Sequence, residues 1–238
     1  MFYGCKKLTE FTNTLPKLEE ANYMFCKCGF ESFDTTLKTV KNANYMFMSC
    51  DSMETFTSDL SSDGDTVLQS FSYPFLGCTS LKHYNANTDV ADKDRHFVRD
   101  GLQGSLETFK GNLHKLKDAT EVFLSCDKLE TATTAMRNVE NAQNMFRACT
   151  RLHTCIINDI SKLTNARGMF YGCKSLSQVS LRTSNINNAY AMFYDCTNFD
   201  ASNFNLDFSA VENAQYMFEG SALTELPRNG FSKVKFAQ

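Results

Sequence analysis

The sequence predicts an α/β repeat solenoid in which each coil combines a short helical turn segment with a short parallel strand. Three observations lead there. A phenylalanine recurs as Phe2, Phe25, Phe47, Phe75, Phe97, Phe123, Phe146, Phe170, Phe193 and Phe218, at intervals of 22 to 28 residues, which is the range of stacked-repeat architectures. Other residue types return at fixed offsets from it. Between these motifs lie short stretches of alternating or β-branched character. The 238 residues read as a single solenoid of about ten coils, irregular over 61–110. Stacked at strand spacing it would be roughly 45 to 50 Å long.

The columns identify the core. Seven residues before the Phe stands an aliphatic residue: Leu18, Val40, Leu68, Val90, Leu116, Val139, Leu163, Ile186 and Val211. Four before it is usually Ala, as in Ala21, Ala43, Ala142 and Ala189, with Asn commonly ahead of the Ala (Asn42, Asn141, Asn165, Asn188, Asn213). Met most often precedes the Phe directly, Cys follows three later, and Leu or a substitute six later. A coil cannot bury its apolar face alone, so inward residues lie on their counterparts in the next coil and each column holds one size class. Phe25, Phe47, Phe123, Phe146, Phe170, Phe193 and Phe218 are expected in the core, with Cys28, Cys50, Cys126, Cys149, Cys173 and Cys196 beside them.

Each segment has its own expected conformation. Asn before Ala suggests a helix cap, with Ala, Phe and Cys then four and three residues apart on one face of one or two helical turns. After the Cys, "LTEFTNTL", "METFTSDL" and "LSQVSLRT" suggest a short extended stretch that pairs with its neighbours in a parallel ladder.

"MFYGCKKLTEF", "MFMSCDSMETFTSDL" and "MFYGCKSLSQVSL" resemble BspA-type leucine-rich repeats, whose hallmark is an M-F-x-x-C-x-x-L core. The resemblance spans nearly the whole chain. It implies a leucine-rich-repeat-like solenoid and a role in binding, since such repeats are similar to those of bacterial adhesins and lipoproteins, protist surface proteins and phage products. It supplies no catalytic residues, and it favours a cell surface or a virion as the location. A non-enzymatic module recognising a protein or glycan on a host or neighbouring cell is therefore expected. The alternative is a structural spacer or assembly scaffold contacting other subunits of a larger complex.

The pattern fails between Phe47 and Phe123. There "SSDGDTVLQSFSYPF" and "NANTDVADKDRHFVRDGLQGSLETF" stretch two coils, Pro74 and His96 replace Met, and Asp100 replaces Cys. Insertions in a solenoid fall on loops at one edge, where recognition commonly sits. Asp63, Asp65, Tyr73, His83, Tyr84, Asp92, Asp94, Arg95 and Arg99 are thus candidate partner-binding residues, against a reading of drifted coils without function. The aspartates do not follow EF-hand spacing, and a solvated loop fits them better than a cation site. A second candidate set is a stripe of tyrosines beside the Met and Phe columns: Tyr23, Tyr45, Tyr171, Tyr194 and Tyr216, accompanied by Tyr3 and Tyr190. Tyr suits interfaces, though such rings could equally pack over the coil edge.

Other classes are excluded or unsupported. A net charge of −3 without a Lys/Arg run argues against a nucleic-acid partner. No stretch reaches the about 18 apolar residues that span a bilayer, and the given residues begin with no export signal. The four His occupy no shared repeat position, and no phosphate loop or G-x-S-x-G is present. No cofactor is expected. Eight of the ten Cys share one column, where coil spacing would permit bridges but a slot for a small buried thiol explains the pattern better. "CKC" and "HTC" are too isolated to make a zinc site. Met1 and Phe2 fall in phase with the internal "MF" pairs, so the chain is expected to be part of a longer one, and "LTELPRNGFSKVKFAQ" to be a degenerate capping coil or the start of another domain.

Overall fold

The computed structural model describes residues 1–60, 68–88, 90–201, 206–226 and 229–237. Its backbone is a parallel solenoid. Seven strands form one sheet in sequence order: β1 (Ser32–Phe33), β2 (Thr55–Phe56), β3 (His83–Asn85), β4 (Thr108–Asn112), β5 (Thr131–Ala135), β6 (Thr154–Asn158) and β7 (Gln178–Ser180). Each is one coil further along the chain, and each pairs in parallel with the next. A separate parallel pair joins β8 (Asp207–Phe208) to β9 (Asn229–Gly230). Two of the three stretches expected to be extended lie on strands, β2 and β7. The first, 8–15, forms no strand, although Phe11 packs 6.3 Å from Phe33.

The register stacks like on like. Thr55, His83, Thr108, Thr131, Thr154 and Gln178 share one outward row. The row beside it faces the core as Phe33, Phe56, Tyr84, Phe109, Ala132, Cys155 and Val179. Against it stand the repeat phenylalanines, whose rings stack at 5.5 Å (Phe2–Phe25), 5.6 Å (Phe25–Phe47) and 5.7 Å (Phe47–Phe75), and again from Phe123 to Phe218 at 4.8 to 5.6 Å. Each buried ring contributes about 2–3 kcal/mol of transfer free energy. Of the residues expected in the core, all are buried except Phe218, which is partly covered.

The segment around "NAxxMFxxC" departs from expectation: it is a run of turns, not a helix. Two residues before the Phe, φ is positive at Tyr23, Tyr45, Tyr73, Glu121, Asn144, Gly168, Ala191 and Tyr216, between 50° and 59°. Two after it, φ is positive again, as at Lys27, Ser49, Ser125, Ala148, Asp195 and Gly172. Left-handed residues at these offsets interrupt any helix, at about 1 kcal/mol for each non-glycine.

Hydrogen bonding compensates for this. In the coil of Phe146, the N–H groups of Ala142, Asn144, Phe146 and Ala148 donate to the next coil's Asn165, Arg167, Met169 and Tyr171 carbonyls at 2.8–2.9 Å. The intervening N–H groups of Met145, Arg147 and Cys149 close turns onto Ala142, Asn144 and Phe146 at 3.1–3.2 Å. Gln143 N–H donates to the Asn141 side-chain oxygen at 3.1 Å. Asn does cap, as expected, but it caps a turn. Its amide also donates along the stack, as from Asn165 to Asn141 at 2.9 Å. Every N–H from Ala142 to Cys149 is satisfied, alternately within the coil and between coils, and this second ladder replaces the helix.

The α-helix α1 (Phe97–Leu102) forms in the coil where His96 replaces Met and Asp100 replaces Cys. Arg95, at the offset that is left-handed elsewhere, has φ −55°, and Asp100 N–H reaches the His96 carbonyl at 2.8 Å. The carboxy-terminal stretch is a further coil: Lys235 N–H donates to Glu212 at 2.8 Å, and Phe236 pairs with Asn213.

Candidate functional site

The turn ladder decides which side chains point outward. Ala, Met, Phe and Cys of each coil are buried in most coils, whereas the residues three and two before the Phe, and one after it, face out in most. The tyrosines occupy these outward offsets. Tyr23, Tyr45 and Tyr73 sit two before the Phe in successive coils and stack with centroids 4.8 and 5.5 Å apart and planes within 15°. Tyr23 and Tyr73 are 43% and 42% exposed, so the ladder both covers its own backbone and presents ring edges and hydroxyls to solvent.

A second group lies on the coils of Phe146 to Phe218. Tyr171 and Tyr194, each one residue after the Phe, stack at 4.6 Å, with the Arg147 guanidinium 4.4 Å over Tyr171. The Tyr194 hydroxyl donates to Glu219 at 3.4 Å, and that carboxylate raises its pKa. Tyr190 carries Arg167 over its ring at 4.2 Å and meets Tyr216 edge-on at 5.6 Å. Sequence reasoning placed the tyrosines on one surface but missed the arginines.

The irregular coils are knit together rather than open. Asp94 is buried, contrary to its expected role in partner contact; its carboxylate accepts Phe71 N–H at 3.1 Å and Ser72 O–H at 2.6 Å. Asp92 accepts the N–H groups of Lys117 and Asp118 at 2.8 and 3.0 Å. In regular coils a carbonyl of the preceding coil takes those two N–H groups, as Lys117 O takes Glu140 and Asn141. Asp92 thus supplies in its side chain the acceptor that the helical coil withdraws, and Asp94 does the same for Phe71.

Arg95 lies 3.7 Å from Asp118, while Arg99 binds Asp100 at 3.1 Å and Glu121 at 2.9 Å. His96 joins them through its Nε2–H to the Thr120 carbonyl at 3.2 Å and its Nδ1, which accepts from Arg99 at 3.1 Å. Burial, then Arg99 and Arg95, hold this imidazole below its ordinary pKa and therefore neutral.

Tyr84 is also corrected. It is buried on β3, stacked 5.0 Å from Phe109, and its hydroxyl bonds Thr88. Its offset in the strand, opposite Phe56, makes it a core ring that is out of reach of a partner. His83 faces out of the sheet and bonds Thr108 at 3.0 Å, away from the Tyr ladder. Tyr73 borders a small hollow with Lys93, His96 and Arg99. Asp63 and Asp65 lie outside the described residues.

The ten cysteines are free thiols, nine of them buried. Along the column six Sγ–H groups donate to the Phe carbonyl of the preceding coil at 3.0–3.1 Å: Cys28 to Phe2, Cys50 to Phe25, Cys78 to Phe47, Cys149 to Phe123, Cys173 to Phe146 and Cys196 to Phe170. Cys126 follows the helical coil and makes no such bond among the described residues. Burial pushes the thiols of Cys50, Cys126 and Cys196 up to about 12. Such thiols are protonated fillers, not nucleophiles. Among the described residues no group of three or more His, Cys, Asp or Glu could hold a metal, and no helix is long and apolar enough to cross a membrane.

Comparison with known protein families agrees with this repeat. Residues 1–97 match the BspA type leucine rich repeat region, in six copies. None of the curated protein sequences compared with the chain matches it. Among solved structures it is similar to a leucine-rich repeat protein from Eubacterium ventriosum, with 14% identity, a TM-score of 0.36, and coverage of 87% of this chain and 68% of that one. Residues 107–229 match the family described as Mycoplasma protein of unknown function, DUF285, and the chain belongs to that family, with BspA-type leucine-rich repeats forming its amino-terminal part.

Proposed function

We propose that this chain is a non-enzymatic recognition module, displayed on a cell surface or particle, that binds a protein or glycan through the outward residues of its turn ladder. The observation that carries this reading is the stack of Tyr23, Tyr45 and Tyr73, exposed at its two ends and half-buried at Tyr45, on a hydrogen-bonded turn backbone. Tyr combines large contact area with a polar tip and few rotatable bonds, and a stacked ladder has already lost most of the freedom that binding would otherwise remove. BspA-type repeats are commonly found in surface-associated, protein-binding chains, which supports the same reading.

The test is an array of extracellular proteins and glycans probed with the intact chain and with a Y23N/Y45N/Y73N variant. Asn is chosen because Asn144 already holds the same left-handed position. Saturable binding to one class, reduced at least about tenfold in the variant, is expected for a shared aromatic anchor. No saturable binding, or binding indifferent to the three substitutions, contradicts the reading.

A further inference from the structure

Charge is unevenly distributed along this solenoid. Residues 141–194 contain six Lys and Arg and one acid, Asp159, for a net +5 in a chain whose total is −3. That acid is engaged from outside the segment, by Arg137 at 3.3 Å. Outside this segment the described arginines are matched, Arg95 with Asp118, Arg99 with Asp100 and Glu121, and Arg137 with Asp159. Arg147 and Arg167 differ: both are exposed, and neither has a carboxylate within ion-pair distance among the described residues. Each instead lies on a tyrosine ring, at 4.4 and 4.2 Å.

We infer that the Arg147, Arg167, Tyr171 and Tyr190 strip docks a short acidic segment of a protein partner. The inference rests on the recognition reading above and adds to the Tyr23–Tyr45–Tyr73 ladder a second surface of different chemistry. A guanidinium held by one face on an aromatic ring keeps its N–H edge free, and that edge matches a carboxylate in a two-bond fork. Stacking also removes side-chain freedom before any partner arrives.

The scaffold beneath supports this. Gly168 is left-handed and buried, and a Cβ there would lie 2.5 Å from the Asn144 side-chain oxygen, so a side chain at this point would have to displace the Asn144 amide. The strip runs across three successive coils, two steps of strand spacing or about 10 Å, which an extended peptide of three or four residues covers. A long polyanion would run onto coils whose charge sums to −8 outside this segment, which disfavours nucleic acid and extended acidic polysaccharide.

The test uses the full chain with a fluorescein-labelled octaglutamate peptide, an octaglutamine peptide of equal length, and heparin, followed by anisotropy at low and moderate salt. Binding of octaglutamate over octaglutamine is expected, weakened about tenfold or more in R147Q/R167Q, as befits two charge-assisted forks. It is expected to stay within about twofold in K7Q/K17Q, which removes equal charge elsewhere. Circular dichroism and melting of each variant establish that it is folded; both double substitutions lie at exposed positions.

No octaglutamate binding, equal weakening in both variants, or a preference for heparin over the peptide would each overturn the inference. Array binding insensitive to R147Q/R167Q would also overturn it while leaving the recognition reading standing. No saturable array binding by the intact chain sinks that reading.

Discussion

The Cys173 thiol donates to the Phe146 carbonyl at 3.0 Å, and the same carbonyl accepts Cys149 N–H at 3.1 Å from within its own coil. Cys therefore has a second reason to recur besides its size: it supplies a donor to a carbonyl otherwise left half-used between coils.

Replacing that donor has a measurable cost. C173A is expected to destabilise the chain by about 1–3 kcal/mol, from a lost hydrogen bond and a small void. C126A removes a buried thiol of the same column that lacks the bond, so its cost should be smaller by about 0.5–1.5 kcal/mol. Urea unfolding of the two variants checks the difference.

The thiol column also predicts alkaline instability. Burial raises Cys50, Cys126 and Cys196 from an ordinary value of 9.0 to about 12 in the folded chain. A group whose folded pKa is raised contributes stability that is complete below the unfolded pKa and lost as pH climbs toward the folded one. Above about pH 9 each thiol then costs up to about 1.4 kcal/mol per pH unit. The melting temperature should fall steeply between about pH 9 and 11, and less steeply in a variant with two column Cys replaced by Ala. At about pH 8, below the ordinary thiol pKa, titration should find the exposed Cys5 readily and all ten thiols only in denaturant.

How far the repeat could be read in advance follows from what a side chain reports. Columns of Phe, Ala, Met and Cys record burial, and burial has the same three- and four-residue spacing in a helix and in this turn run, so the core was legible while the backbone path was not. The clue to left-handed backbone was Gly at Gly4, Gly77, Gly172 and Gly220, two after the Phe. It was masked because Lys27, Ser49, Ala148 and Asp195 hold the same conformation in other coils. Tyr84 was misplaced because only pairing with Phe56 and Phe109 reveals it as a core ring. Arg147 and Arg167 stand at different offsets and meet their rings only across coils.

Backbone strain gives a third prediction. Ala148 and Ser125 have φ of 61° and 56°, so A148G and S125G should each stabilise the chain by up to about 1 kcal/mol. Gly172 has φ of 71°, and a Cβ added there would meet no atom closer than 3.9 Å. G172V therefore meets conformational strain rather than a clash and should cost about 1–2 kcal/mol. Thermal melts report both signs.

The irregular coil gives a fourth. D94A leaves Phe71 N–H and Ser72 O–H without their acceptor in a buried setting, and should cost about 2–4 kcal/mol. D94N retains one acceptor oxygen and should cost less. D92A, which frees the less buried Lys117 and Asp118 N–H groups, should cost about 1 kcal/mol. Equal effects of D94A and D92A in urea would contradict the buried-acceptor account.

The outward placement of the tyrosines and arginines depends on one claim, that "NAxxMFxxC" is a turn ladder bonded between coils. Backbone chemical shifts and amide–carbonyl hydrogen-bond couplings across Asn141–Cys149 test it most directly. The account predicts positive φ at Asn144 and Ala148 and a coupling from Phe146 N–H to the Met169 carbonyl. Continuous helical shifts, with Phe146 N–H bonded to Ala142, would contradict it.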